Sequence, residues 1–353
     1  MSDYLPFAEA IATLEQGTPP PPDAGFLGVR LDPREAALVL LPAPWEATTS
    51  YGGGTSLGPE AIRRASHQMD VEDAHFGAPY RAGIALLPEP PGLAALNAAA
   101  RPRALQVIDA VERGATAPEA LAVVNAASEQ MNEAIYQAAR AALAAGQWVG
   151  LLGGDHSSPF GLLRALAECH PQGFGVLHID AHHDLRAAYE GFAWSHASIF
   201  HNVMTQLPQV SRLVQAAIRD YSKEERRFSE QLGERGRCFY DAELFRRRAE
   251  GEPFRQTAQA IVEALPERVY VSFDIDGLDP ANCPATGTPV PGGLSFHEAA
   301  YLLAALAESG RRVIGFDLCE VAPDAEGGEW DANVGARLLY KLCGCLLRSQ
   351  GRC

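Results

Sequence analysis

Short apolar runs alternate with amphipathic stretches along most of the chain. The runs at 36–41, 83–87, 148–152, 175–179, 269–273 and 313–316 are continuous and mostly rich in Val, Ile and Leu. That is the pattern of strands buried on both faces. Between them, apolar positions spaced three and four apart predict helices at 57–69, 117–145, 160–168, 253–264, 296–308 and 334–347. Gly58 and Pro59 supply a start signal for the first of these, and Gly146 a stop for the second. Alternation on this scale predicts an α/β fold, a three-layer α/β/α sandwich whose doubly wound, mostly parallel sheet carries helices on both faces. The proline-rich segment 88–102 reads as a surface linker, because the same style of pattern resumes after it.

Residues 1–35 read as an N-terminal arm and residues 36–353 as a single catalytic domain. The arm carries a short helical stretch at 7–14, then Gly17, Thr18 and four prolines at 19–22, which require extended or turn backbone. Such an arm is either disordered or packed on a neighbouring subunit.

Composition narrows the function classes. Of 353 residues, 47% are hydrophobic and 21% charged, which excludes a disordered or fibrous chain. The 44 acidic against 29 basic side chains give a net charge of −15, which argues against binding nucleic acid or an anionic membrane and suits a small cationic substrate. Seven scattered cysteines do not form a secreted disulfide framework. The first residues lack a basic stretch leading into an apolar core, and no apolar run approaches the roughly 18 residues of a membrane span. A reduced cytoplasm is the expected compartment.

Three of the predicted strands run directly into clusters of His and Asp. The first leads to Gly153-Gly154-Asp155-His156-Ser157, the second to Asp180-Ala181-His182-His183-Asp184, the third to Asp274-Ile275-Asp276-Gly277-Leu278-Asp279-Pro280. In extended chain, side chains at i, i+2 and i+4 share a side. Asp180, His182 and Asp184 can therefore converge, as can Asp274 and Asp276, while His183 points elsewhere. With His156 they make six candidate ligands, four carboxylates and two imidazoles. Four clustered carboxylates repel one another unless cations neutralise them, and two divalent ions balance four charges. A carboxylate and imidazole set without thiolate suits manganese, or less often nickel, iron or cobalt, better than zinc. A paired centre of this kind makes hydroxide near neutral pH, the nucleophile of a hydrolase. One Asp-x-Asp alone usually caps a turn; three clusters at three strand exits exceed that reading.

These blocks, in this order, resemble the signatures of the ureohydrolases, the family of arginase and agmatinase, and the similarity runs from about residue 38 to 347. The resemblance implies an arginase-like sandwich with two Mn2+ ions (Ni2+ the alternative). A metal-bridging hydroxide would attack the guanidinium carbon of a small guanidino substrate, releasing urea and an amine. It implies that His156 serves one ion, that His182 and Asp276 serve the second, and that Asp184 and Asp274 bridge, with Asp180 completing the set. His196, within Trp194-Ser195-His196-Ala197-Ser198, matches a proton-shuttle histidine. Glu320, within 317–323, matches the acid that holds the guanidinium. Asp155 would support the metal shell through hydrogen bonds, and the family's habit implies a homo-oligomer, a trimer or hexamer.

The loop 185–195 should line the substrate's tail. Arg186 stands where arginases carry an asparagine, which departs from true arginase. Its charge would repel an amine and could pair with the carboxylate of a guanidino acid. Trp194 could narrow the pocket or stack on a cation. Agmatinase-like activity is the default. The alternatives are a guanidino acid, free or substituted guanidine, arginine, formiminoglutamate, a metal-binding subunit without catalysis, and an amide deacetylase using a single zinc. The glycine-rich stretch 51–55 reads as a tight turn at the site mouth, and 284–293 as a bordering loop. His178 and His201 read as structural.

Overall fold

The computed structural model describes residues 4–353; residues 1–3, part of the expected arm and of the stretch read for a leader, lie outside the described residues. Eight strands form one sheet: β1 Leu38–Ala43, β2 Ile84–Leu86, β3 Trp148–Gly153, β4 Phe174–Ile179, β5 Val210–Ile218, β6 Gly236–Tyr240, β7 Arg268–Asp274 and β8 Arg312–Cys319. Their order is β2-β1-β3-β8-β7-β4-β5-β6, and every pairing is parallel. Alternating residues of one strand feed two cores. Leu38 and Leu40 pack with helices Phe254–Glu263, Phe296–Glu308 and Trp330–Ser349, while Val39 and Leu41 pack with Pro118–Ala144, Phe160–Cys169 and Ile199–Gln206. This is the expected α/β/α sandwich. Among the described residues no helix is long and apolar enough to cross a membrane.

Two strands escaped the sequence pattern. In β5 the polar residues Ser211, Arg212 and Gln215 interrupt the apolar run, and β6 is an edge strand carrying Arg237 and Cys238. The expected linker at 88–102 is a correction of another kind. Residues Leu93–Glu112 form a helix that contains Pro102. Pro102 lies on the exposed face, and the surrounding alanines, strong helix formers, absorb the loss of one N–H. With helix Pro118–Ala144 it builds a small third core around Phe192, from the loop expected to line the substrate's tail. The arm lies on its own chain. Its helix Phe7–Gln16 follows Leu5, whose N–H donates to the Arg30 carbonyl at 2.7 Å, and Ala10, Val29 and Leu31 join the second core.

The topology places the chemistry. Strands β3, β8, β7 and β4 are consecutive neighbours, so their carboxyl ends deliver all three His and Asp blocks and Glu320 to one edge, where ligands of open parallel sheets bind. Close packing of these strands depends on Gly150 of β3, paired with Phe316 of β8. A Cβ at 150 would lie 2.2 Å from the Phe316 ring, inside van der Waals contact. Gly150→Ala should therefore destabilise the sheet by about 1–3 kcal/mol, the usual cost of overpacking. Urea denaturation should show a lower midpoint, and an unmoved midpoint would contradict this packing.

Candidate metal centre

Six side chains converge at that edge: His156, Asp180, His182, Asp184, Asp274 and Asp276. Asp155, His156, Asp180, Asp184, Asp274, Asp276 and Glu320 are all buried, which leaves few water partners for so much charge. The His156 Nδ1 lies 3.0 Å from Asp180 Oδ2, 3.1 Å from Asp184 Oδ2 and 3.3 Å from Asp274 Oδ2. On the other side, His182 Nδ1 lies 3.2 Å from Asp276 Oδ2 and 3.4 Å from Asp180 Oδ1. Two donor sets result, and Asp180 faces both with one oxygen each. The resemblance implied Asp184 and Asp274 as the shared pair. In the structure Asp180 presents one oxygen to each histidine, and Asp184 Oδ2 faces His156.

Backbone conformation explains part of this. Beyond the end of β4 the chain is no longer extended, and Asp184 adopts φ +54°. The i, i+4 argument expected a continued strand; instead a left-handed residue at 184 turns its carboxylate toward His156. Asp274 Oδ1 accepts from the Asp276 N–H at 2.8 Å, and Asp276 Oδ1 from the Ala181 N–H at 3.0 Å, which ties the second block to the third. The far nitrogen of His156, Nε2, lies 2.9 Å from Ser272 Oγ, and Ser272 donates its proton to Asp317 Oδ1 at 3.0 Å. Nε2 must then donate, so Nδ1 is bare in the neutral ring, ready for a cation, and carries an N–H toward the carboxylates only in the imidazolium.

The donor set fits divalent cations. A single Nδ1–H can satisfy one of three carboxylates crowding it, and the remaining charge is buried without compensation. Burial, then repulsion by Asp180, raises Asp184 to a pKa of about 7. Burial, with Asp276 and Asp180 nearby, holds Asp274 well above the carboxylate range. His156 is pushed well above its ordinary value: burial opposes this, but hydrogen bonds to Asp180, Asp184, Asp274 and Asp317 outweigh it. These are the marks of a site that stores protons where cations belong.

The other expected residues divide. Glu320, with φ +63°, accepts the His156 N–H on Oε1 at 2.9 Å, and its Oε2 faces Gly287, where a Cβ would sit only 3.1 Å away. His196 and Glu320 both line a pocket of about 180 Å³ with His156, His182, Asp184 and Asp274. Burial, reinforced by the positive His182 and His156, lowers His196 to a pKa of about 3. Arg186 lines the pocket too, but its Nε lies 3.3 Å from the buried Glu225 and its guanidinium rests over the Tyr189 ring. Trp194 is outside the lining, its ring 4.7 Å from Phe160. Asp155 does not touch a ligand side chain; its Oδ1 accepts from the Ser157 N–H at 2.9 Å. The glycine-rich turn does reach the mouth: Tyr51 lines the pocket, and Gly52 N–H donates to the Gly287 carbonyl at 3.1 Å. Sequence reasoning missed Asp220, Tyr221 and Glu225, which follow the unpredicted β5 and complete the lining.

A buried His and Asp cluster at the strand ends of an all-parallel sandwich is compatible with metal binding. The family model described as the arginase family matches residues 36–344, and the chain belongs to that family. Its members are ureohydrolases that act on amidino C–N bonds and depend on paired metal ions, typically manganese. The chain is 34% identical to an N(1)-aminopropylagmatine ureohydrolase of Thermus thermophilus, over 88% of this chain and 90% of that protein. It is 31% identical to a proclavaminate amidinohydrolase of Streptomyces clavuligerus, over 88% and 89%. The solved structure of a proclavaminate amidinohydrolase from that organism superimposes with a TM-score of 0.71 at 25% identity, covering 92% of this chain and 97% of that one.

The proton store makes a measurable statement. A cation can enter only as Asp184, Asp274 and the histidines give up protons, so binding should release protons and strengthen as pH rises from 5 to 8. Calorimetry of manganese binding in buffers of different ionisation enthalpy should report net proton release near pH 7. Zero release would contradict the raised Asp184.

Proposed function

We propose that the chain hydrolyses a guanidino compound bearing a second cation to urea and an amine, in the manner of an agmatinase. The observation carrying this reading is the single imidazole nitrogen of His156 lying within 3.3 Å of three buried carboxylate oxygens. On this reading His156 and Asp184 hold one ion, His182 and Asp276 the other, and Asp180 serves both, with Asp274 beside His156. The carboxylate and imidazole donors suit manganese, with nickel as the alternative. Bound there, paired ions would lower the pKa of a water to near neutrality and so supply a nucleophile.

The chain's own residues do the rest. Glu320 has one oxygen tied to the His156 N–H, and the other is free to accept a guanidinium N–H. Burial raises its pKa well above the usual range, with Asp155 adding repulsion, so a cation is what restores its charge. A planar guanidinium so fixed presents its carbon to the nucleophile. His196 lines the same pocket, placed to relay a proton to the departing amine once cations rather than charged histidines occupy the site.

Charge in the outer pocket selects the tail. Arg186 is paired with Glu225, which removes the cation that a guanidino acid would need. Asp220 is exposed at the same wall, with no side-chain partner among the described residues. A guanidinium at Glu320 and an ammonium at Asp220 leave the lining balanced. The relatives named for aminopropylagmatine and agmatine accord with such a substrate. The seven unpaired cysteines accord with a reducing cytoplasm, where the family resemblance suggests a trimer or hexamer.

Urea release from agmatine, aminopropylagmatine, guanidinobutyrate, arginine and guanidine, with manganese and with nickel, tests the proposal. The guanidino amines should be hydrolysed fastest. Faster hydrolysis of guanidinobutyrate would overturn the second cation, and no urea from any compound would overturn the activity. In a second experiment, His196→Ala should lower kcat by about 10²- to 10⁴-fold, the range of acid–base groups, with metal content unchanged. Undiminished kcat would remove His196 from the mechanism.

A further inference from the structure

Beneath the donor sets, a row of polar side chains crosses five strands at one register. Gln215 of β5 pairs with Cys238 of β6 on one side and His178 of β4 on the other. His178 pairs with Ser272 of β7, and Ser272 with Asp317 of β8. His178, Gln215, Ser272 and Asp317 are all buried. Strands β4 and β7 then each carry a donor residue two positions on from the row: Asp180 after His178 and Asp274 after Ser272. A period of two keeps such pairs on one face. A polar row in the middle of a sheet is costly unless every member is bonded, so its bonds repay tracing.

Gln215 is the member with a defined polarity. Its Nε2 lies 3.0 Å from the backbone carbonyl of His183, an atom that can only accept, so the amide nitrogen is on that side. The same Nε2 lies 2.9 Å from His178 Nδ1, which must therefore be bare. The proton of a neutral His178 is then on Nε2, which points at Asp180 Oδ2, 2.8 Å away. At its other end, Gln215 Oε1 accepts from His183 Nδ1 at 2.7 Å, and His183 Nε2 is left to accept from Tyr240 Oη at 3.3 Å. Side-chain donors thus run in one direction, from Tyr240 through His183, Gln215 and His178 to Asp180, and the His183 carbonyl, by fixing the Gln215 amide, sets that direction.

The geometry points to Gln215 as a positioning residue for the metal centre: it locks His178 as the Nε2–H tautomer, which anchors Asp180 between the two donor sets. Asp180 is the carboxylate facing both histidines, so a small rotation would disturb both sides at once. The Nε2–H donor occupies one lone pair of Oδ2, while Oδ1 is held by the His182 N–H at 2.5 Å. Both oxygens keep further lone pairs for a cation. The inference rests on the metal reading proposed above, but its first test does not.

Long-range proton–nitrogen NMR correlations on metal-free wild-type protein, labelled at histidine nitrogen, report the tautomer of His178. We expect the proton on Nε2 and a bare Nδ1; a proton on Nδ1 would overturn the inference. Gln215→Glu has no N–H to offer. His178 would then carry its proton on Nδ1 and turn a bare nitrogen toward Asp180. Manganese affinity, read from the free-ion EPR signal with circular dichroism confirming the fold, should weaken by about 10- to 100-fold, the usual effect of losing such a support. Wild-type affinity in that variant would overturn the inference alone. Wild-type protein that binds no manganese would instead refute the metal reading.

Discussion

Four carboxylates buried at one edge of a sheet set the terms for everything around them. Asp180, Asp184, Asp274 and Asp276 lie within reach of three imidazoles, His156, His178 and His182, and in a low-dielectric interior they cannot all be ionised without further positive charge. A chain meant only to be stable would fill such a place with apolar side chains. The fold instead holds the carboxylates in place through Ala181 and Asp276 N–H donors, and through His156, Ser272 and Asp317 in series. It accepts left-handed backbone at Asp184 and Glu320, a conformation costing of order 1–3 kcal/mol for such residues. Strain and buried charge in the same few residues are the signature of a site kept for chemistry.

The sheet is what makes that concentration possible. Parallel strands deliver their carboxyl ends to one edge, and the neighbours β3, β8, β7 and β4 contribute in turn His156, Glu320, the third block and the second. The two apolar cores grip the sheet from both sides, so the donors sit on a rigid platform. The outer wall is built differently, from the stretch after β5 and the loop anchored by Phe192 between two helices. The donor side chains thus rest on strand ends, and the outer wall of the pocket rests on loops.

Much of this was legible in the sequence. Buried parallel strands leave uninterrupted Val, Ile and Leu runs, and helix Phe296–Glu308 has the predicted bounds. The three His and Asp blocks stand out because they follow those runs directly. Legibility failed where neighbours decide the outcome. Gln215 reads as an interruption of β5, since its value lies in His178 and His183, distant or displaced in the chain. Arg186 reads as a free cation until Glu225, after a strand that was not predicted, comes to rest beside it. Pro102 reads as a breaker until a long alanine-rich helix absorbs it. That Asp180 faces both histidines depends on which way its two oxygens point, which spacing alone does not specify.

The central claim is that these donors gather two divalent cations about Asp180. Anomalous diffraction from manganese-loaded crystals, recorded across the manganese edge, tests it most directly. The account predicts two peaks, one beside His156 and Asp184 and one beside His182 and Asp276, with Asp180 between them. A single peak, or none in this cluster, would contradict it.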